Sequence, residues 1–137
     1  MNVSNQPKLT FNGVDIVQFD FKSLKNFNFE ADPTISVDAK LVNAPIDALE
    51  VRLWMKIVVE AEGYFTLTLI SIGNFELLAN LTTEERTAFI NINTPAIMFP
   101  YMRSFVSTFT ANCGQACPLL IIPTQFFNGP LSSIEIK

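Results

Sequence analysis

The sequence predicts an α+β chain that assembles with copies of itself. Its first half alternates apolar and polar residues with a period of two, the mark of half-buried strands. Beyond Gly73 the apolar spacing widens to a helical period. Apolar residues make up 49% of 137 residues, charged residues only 16%, and 13 residues are Phe. A small interior has little room for this much apolar material, so part of it should face another subunit or an apolar ligand.

Taken in order, residues 1–8 read as a loose leader. From Asp15, the alternation sets Val17, Phe19 and Phe21 on one face and Gln18, Asp20 and Lys22 on the other. Phe27 and Phe29 extend that apolar row after a shift at residues 24–26, which reads as a bulge. Asp32-Pro33 signals a turn. A second strand over residues 34–42 points Ile35, Val37, Ala39 and Leu41 inward. Residues 43–49, with Pro45, form a connection. A third strand over residues 50–61 puts Val51, Leu53, Met55, Ile57 and Val59 on one face and Arg52, Trp54, Lys56, Val58 and Glu60 on the other. Glu62-Gly63 supplies a tight turn. The return strand spans residues 64–72, with Phe65, Leu67 and Leu69 sharing a face.

The outer face of the third and fourth strands is mixed, because Trp54, Val58, Tyr64 and Ile70 fall there. An antiparallel sheet with one wet face alternates more cleanly. Scattered surface hydrophobes would explain this blandly; a sheet that meets a second subunit accounts for it together with the composition.

Thr82 and Glu85 form a capping box at the start of a short helix reaching about Ile90. Thr94-Pro95 is a second start signal, an N-cap followed by Pro at the first helical position. The helix over residues 95–112 carries Met98, Met102, Phe105 and Phe109 along one stripe. Ile97, Phe99 and Tyr101 widen it, Arg103 is its single charge, and Pro100 sits inside it. A helix apolar nearly all round is covered on more than one side. One side meets its own sheet, and the other is expected to meet the same helix of a second copy. Met98, Tyr101, Met102, Phe105 and Phe109 are therefore the expected oligomer contacts. Gly114 ends the helix, and residues 119–122, between Pro118 and Pro123, form an extended return. Residues 130–137 receive no assignment. No repeat or boundary divides the chain, so residues 1–137 are read as one domain.

Several function classes fall away. The net charge is −4 and the isoelectric point about 4.7, with nine scattered basic residues; phosphate backbones need clustered Lys and Arg. The longest run without charge, residues 104–134, is broken by Gly114, Pro118, Pro123, Gly129 and Pro130, unlike a membrane span. No secretory leader is read at the start, so a cytoplasmic location is expected. His is absent, which removes the commonest general base and the base of a Ser/His/Asp arrangement. Cys113 and Cys117 are spaced CxxxC, which is neither a redox CxxC nor a zinc set. The carboxylate pairs Glu60/Glu62 and Glu84/Glu85 flank a hairpin and open a helix. No enzyme, metal or cofactor is expected. What the chain offers is apolar and aromatic contact area, suited to binding unfolded polypeptides.

The string Pro95-Ala96-Ile97-Met98-Phe99-Pro100-Tyr101-Met102-Arg103 resembles the opening of the long helix in the SecB export chaperones, where an apolar pair precedes Phe-Pro-Tyr-Ala-Arg. Asn28-Phe29-Glu30-Ala31 resembles the end of that family's first strand, and Gly73-Asn74-Phe75 its Gly-x-Phe after the fourth. Leu119-Leu120-Ile121-Ile122-Pro123 and Gln125-Phe126 resemble its apolar return and the following Asn-Phe. The likeness covers roughly residues 15–127. It implies a four-stranded antiparallel sheet with helices packed on one side, a dimer of dimers, a groove for non-native preproteins and delivery to the SecA motor, with Glu30 at a motor-contact position.

The chain departs from the family pattern in three places. The connection at residues 32–34 is short and lacks the family's Trp. Asn26 and Thr68 stand where carboxylates are expected. Gly129-Pro130 interrupts the second helix, and the basic metal-binding tail has no counterpart. The expected activity is that of a holdase, with client contacts at Trp54, Tyr64, Phe75, Leu77 and Leu78. The alternatives are a chaperone dedicated to one partner and a ligand-binding or structural oligomer on the same scaffold.

Overall fold

A computed structural model of the chain describes residues 9–42, 48–123 and 131–134. Four long strands, β1 (Leu9–Ser23), β2 (Thr34–Val42), β3 (Glu50–Ala61) and β4 (Phe65–Leu77), pair antiparallel. A short β5 (Ser132–Ile134) then joins the far edge in parallel, giving the order β1-β4-β3-β2-β5. The antiparallel four-stranded sheet with a helix packed against it is the fold class the sequence predicts. The bounds of β2 and β3 coincide with the predicted ones.

Alternation decides which face is covered. Val51, Leu53, Met55, Ile57, Val59 and Ala61 of β3 are buried, as are Phe65, Leu67, Leu69, Phe75 and Leu77 of β4. This face lies under α2 (Thr94–Ala111), which buries Met98, Phe99, Met102, Val106 and Thr110. Rings from β1 complete the seam: Phe19 meets Phe105 and Phe109 edge-on at 5.0 and 4.7 Å, and Phe11 lies 5.1 Å from Tyr101.

Four expectations are corrected. First, β1 runs from Leu9 only to Ser23, so Phe27 and Phe29 belong to the connection at residues 24–33 rather than to its apolar row, and its irregularities fall at Asn12-Gly13 and at Val17 rather than at residues 24–26. Ile16 opposes Ser71 and Gln18 opposes Ile70, so Val17 is the extra residue of a bulge and is 54% exposed. Second, β4 does not stop at residue 72 but runs through Gly73 to Leu77. A Cβ at Gly73 would lie 2.8 Å from the Met98 sulfur and 3.0 Å from the Phe75 ring. The glycine is there to admit the helix rather than to end the strand.

Third, the capping box at Thr82 and Glu85 opens α1 (Thr83–Ala88), but no break separates it from α2. A π-helical segment, Phe89–Asn93, links the two, and Thr94 is no N-cap: it is buried and its hydroxyl donates back to the Ile90 carbonyl at 2.6 Å. Fourth, the unassigned C-terminal stretch supplies β5. The leader at residues 1–8, most of the connection at 43–49, and Gln125-Phe126 lie outside the described residues. No helix among the described residues is long and apolar enough to cross a membrane.

Candidate functional site

The site grows from the place where β1 leaves the sheet. Leu24 donates its backbone N–H to the Tyr64 carbonyl at 2.7 Å, and the Lys25 ammonium sits 4.7 Å from the Tyr64 ring centre. Phe27 then donates its N–H to the Gln115 carbonyl at 2.8 Å, while the Asn26 amide donates to Gln115 Oε1 at 2.9 Å. Two main-chain turns are thereby tied: the β1–β2 connection and the loop after α2. An Asx turn follows, in which the Glu30 N–H donates to Asn28 Oδ1 at 3.0 Å, and it lifts Phe29 outward.

Phe27 is the hub of the aromatic wall. Its ring lies 5.7 Å from Phe29, 5.7 Å from Tyr64 and 5.8 Å from Phe65, each at an edge-on angle. Such pairs add about 0.5–1.5 kcal/mol each beyond area burial. Opposite, Gly114 at φ +62° ends α2 and turns the chain back. Between the two turns is a cavity of about 250 Å³ lined by Asn26, Phe27, Phe29, Gly114, Gln115, Cys117 and Pro118. Phe29 is 85% exposed at its edge.

From Pro118 the chain returns along α2 in extended form, so its side chains alternate: Leu120 and Ile122 are buried, whereas Leu119 and Ile121 are 55% and 71% exposed. Helix side chains hold its backbone. Thr110 Oγ1 accepts from the Leu120 N–H at 2.9 Å and donates to the Val106 carbonyl at 2.8 Å. The Ser107 hydroxyl donates to the Leu120 carbonyl at 2.9 Å, and Arg103 Nε donates to the Ile122 carbonyl at 2.8 Å. With those polar groups used, the outer surface of the return presents apolar side chains.

The cavity has no reactive group. Burial pushes the Cys113 thiol up, and burial together with the neighbouring Cys113 pushes Cys117 up to about 12. Both thiols stay protonated near neutral pH and are poor nucleophiles. Among the described residues no cluster of His, Cys, Asp and Glu could hold a metal ion. The arrangement can receive an apolar or aromatic side chain, with the polar ends of Asn26 and Gln115 at the rim.

The structure gathers few of the residues chosen from sequence. Tyr64 joins the aromatic wall. Trp54 is on the opposite face of the sheet, half-buried beneath the Lys40 ammonium at 5.8 Å. Phe75 and Leu77 are not on the outer face, because the continuation of β4 turns them under the helix, and both are buried. Leu78 is half-buried just past the strand end. Met98 and Met102 are fully covered by their own sheet, and Phe105 and Phe109 pack on β1. Tyr101, 57% exposed, is the one of the five with most of its surface free. Glu30 is exposed beside Phe29.

Sequence reasoning missed Phe29, Leu119 and Ile121 as contact candidates. The period-two run between Pro118 and Pro123 carried the signal for the last two. A Phe immediately after an Asn in a turn was the only sign of the first.

Comparison with known proteins agrees with this fold. The family model described as preprotein translocase subunit SecB matches residues 5–128. The protein-export protein SecB of Paramagnetospirillum magneticum is 34% identical over 94 residues, which is 67% of this chain and 59% of that protein. The SecB of Rickettsia rickettsii is 28% identical over 95 residues, 67% of this chain and 61% of its own length. The chain thus spans about three fifths of these curated relatives. Among solved structures, a SecB-like chaperone of Mycobacterium tuberculosis, in complex with a peptide from an antitoxin, superposes with a TM-score of 0.63. It covers 87% of this chain and 88% of that one at 14% identity, a likeness of fold.

Proposed function

This chain belongs to the SecB family, and from that premise we propose that it is a non-enzymatic holdase that binds non-native polypeptides. The observation that carries the reading is the apolar surface around the 250 Å³ cavity. Phe29 stands nearly free at its rim, and Leu119 and Ile121 continue outward from its Pro118 wall. Exposed aromatic and branched side chains of this kind are retained where a partner covers them, and a mixed Phe, Leu and Ile surface suits many sequences. Among the residues chosen from sequence, Tyr64 stays with the client site, whereas the buried Phe75 and Leu77 lie at the far end of β4. Trp54 and Leu78 are half-buried away from the cavity and are assigned no part in the client site.

The test is suppression of aggregation of a chemically unfolded client at near-equimolar ratio. Aggregation that proceeds unchanged under a large excess of the protein refutes the holdase reading.

We extend the proposal to assembly and location. The outward row of α2, with Tyr101 at its centre and Ile97 and Phe105 beside it, is the surface that meets a second copy in a dimer of dimers, in a cytoplasmic setting. Light scattering checks it: Tyr101→Glu lowers the assembled mass, and a monomeric parent chain refutes it.

A second reading is favoured by one observation. The cavity that the β1–β2 connection borders is only about 250 Å³, and Asn26 and Thr68 stand where the family resemblance places carboxylates, leaving Glu30 as the one motor-contact match. A small groove suits a chaperone dedicated to one partner, with delivery to SecA lost. One stable co-purifying polypeptide, in place of many, separates this from the general holdase.

A further inference from the structure

We propose that the side-chain amides of Asn26 and Gln115 form a clasp that reads the main chain of the client residue whose side chain enters the cavity. The proposal rests on the holdase reading and adds the residues that decide which client segments fit.

The two amides come from turns that the backbone already ties together. Phe27 donates its N–H to the Gln115 carbonyl at 2.8 Å, and Ala116 donates its N–H to the Cys113 carbonyl at 3.3 Å, so both side chains start from fixed main chain. Asn26 Nδ2 donates to Gln115 Oε1 at 2.9 Å. Two primary amides can face each other with two such bonds; this pair makes one. Among the described residues, Gln115 Nε2 and Asn26 Oδ1 are left without partners, a donor beside an acceptor. Turning both amides over leaves the same inventory. Both residues are exposed, and they line the cavity at its rim. The rest of the lining adds one polar side chain, the Cys117 thiol, which already donates to the Pro118 carbonyl at 3.3 Å.

A residue in extended conformation carries the matching pattern. Its own N–H and C=O point to the same side of the strand, while its side chain stands roughly perpendicular to them. The N–H can donate to Asn26 Oδ1 and the C=O can accept from Gln115 Nε2 as an apolar side chain enters beside Phe27. Main-chain groups are common to every sequence, so the clasp accepts many residues. Proline, which has no N–H, is rejected at the anchoring position. Without the clasp, an N–H and a C=O would leave water for an apolar rim and lose their hydrogen bonds. Asn26 stands where the family resemblance places a carboxylate, which accepts but cannot donate to Gln115, so the clasp goes beyond what that resemblance implies.

The experiment titrates the full chain with a blocked heptapeptide of Ser and Gly carrying one central Phe, and follows the side-chain amide signals of Asn26 and Gln115 by NMR. N-methylation at the central Phe, which removes its N–H, is expected to weaken binding roughly three- to tenfold, whereas N-methylation at the first Ser changes it little. Asn26→Ala is expected to bind the unmodified peptide about as weakly as the parent chain binds the methylated one, with no further loss on methylation. Gln115→Ala, which removes the donor to the client carbonyl, is expected to weaken binding by a similar factor. Thermal melts check that both variants stay folded; for a variant that melts well below the parent, the two peptides on the parent chain decide.

Equal binding of the two peptides by the parent chain, or a methylation penalty that survives in Asn26→Ala, overturns the clasp and leaves the holdase reading standing. Amide signals that shift with protein concentration before peptide is added give the rim to a second copy and overturn it too. If the unmodified peptide does not bind, the clasp falls, and suppression of aggregation of reduced, carboxymethylated α-lactalbumin decides the holdase reading separately.

Discussion

Replacing Phe29 by Ala separates binding from stability at the cavity rim, and Phe27→Ala is its control. Phe29 is 85% exposed, so the folded chain gains little from its ring beyond one edge-on pair with Phe27, and the change should cost about 0.5 kcal/mol, the low end for such a pair. A client that covers the ring removes on the order of 150 Å² of apolar surface from water, a ceiling of about 4 kcal/mol at ~25 cal/mol per Å². Ordering costs absorb much of that, and truncation of an interface aromatic typically costs 1–2 kcal/mol, or about five- to thirtyfold in Kd. Phe27 is half-buried and touches three rings. Its removal should cost about 2 kcal/mol of stability, near 8 °C in Tm for a chain of this size. Thermal melts and fluorescence titration with an unfolded, labelled polypeptide read both quantities. A Phe29→Ala protein that melts well below the parent, or binds its client equally well, refutes the reasoning.

Gly73→Val should destabilise the chain by about 2–3 kcal/mol, because its Cβ already meets the Met98 sulfur and the Phe75 ring; a denaturant midpoint close to the parent's would refute the close approach. Thr110→Val keeps the shape but leaves the buried Leu120 N–H without its acceptor, a loss of about 1–3 kcal/mol. In that variant hydrogen exchange should speed at Leu120 before it speeds in the sheet. The raised thiol of Cys117 sets a pH dependence. Its ordinary value is 9.0 and its folded value about 12. The stability it confers is therefore whole below about pH 9 and declines as pH climbs from 9 toward 12, where only the unfolded chain ionises. Cys117→Ser should flatten that alkaline limb, and at pH 8 alkylation of the native protein should reach Cys113 well before Cys117.

Much of the fold was legible because it is local. Alternation in β2 and β3 depends on residues two apart, and the Thr82–Glu85 capping box on residues three apart, so both could be read directly from the chain. The Phe-Pro-Tyr string pointed to the family for a similar reason, being contiguous. The candidate site was less legible. Its walls are residues 26–29 and 114–118, which the sequence holds far apart and two hydrogen bonds to Gln115 bring together.

What the sequence by itself determined was where the chain is extended, where it is helical, and that its apolar content demands cover. What only the tertiary structure decided was which apolar residues receive that cover within one chain. The helix stripe of Met98 and Met102 could face a sheet or a partner with the same periodicity. The strand through Gly73 looked finished until Met98 supplied the reason for the missing side chain. Periodicity reports that a residue wants burial, whereas the identity of what buries it depends on contacts such as Phe11 with Tyr101 and Phe19 with Phe105. Those pairs are distant in sequence and form only once β1 and α2 have folded onto the same face.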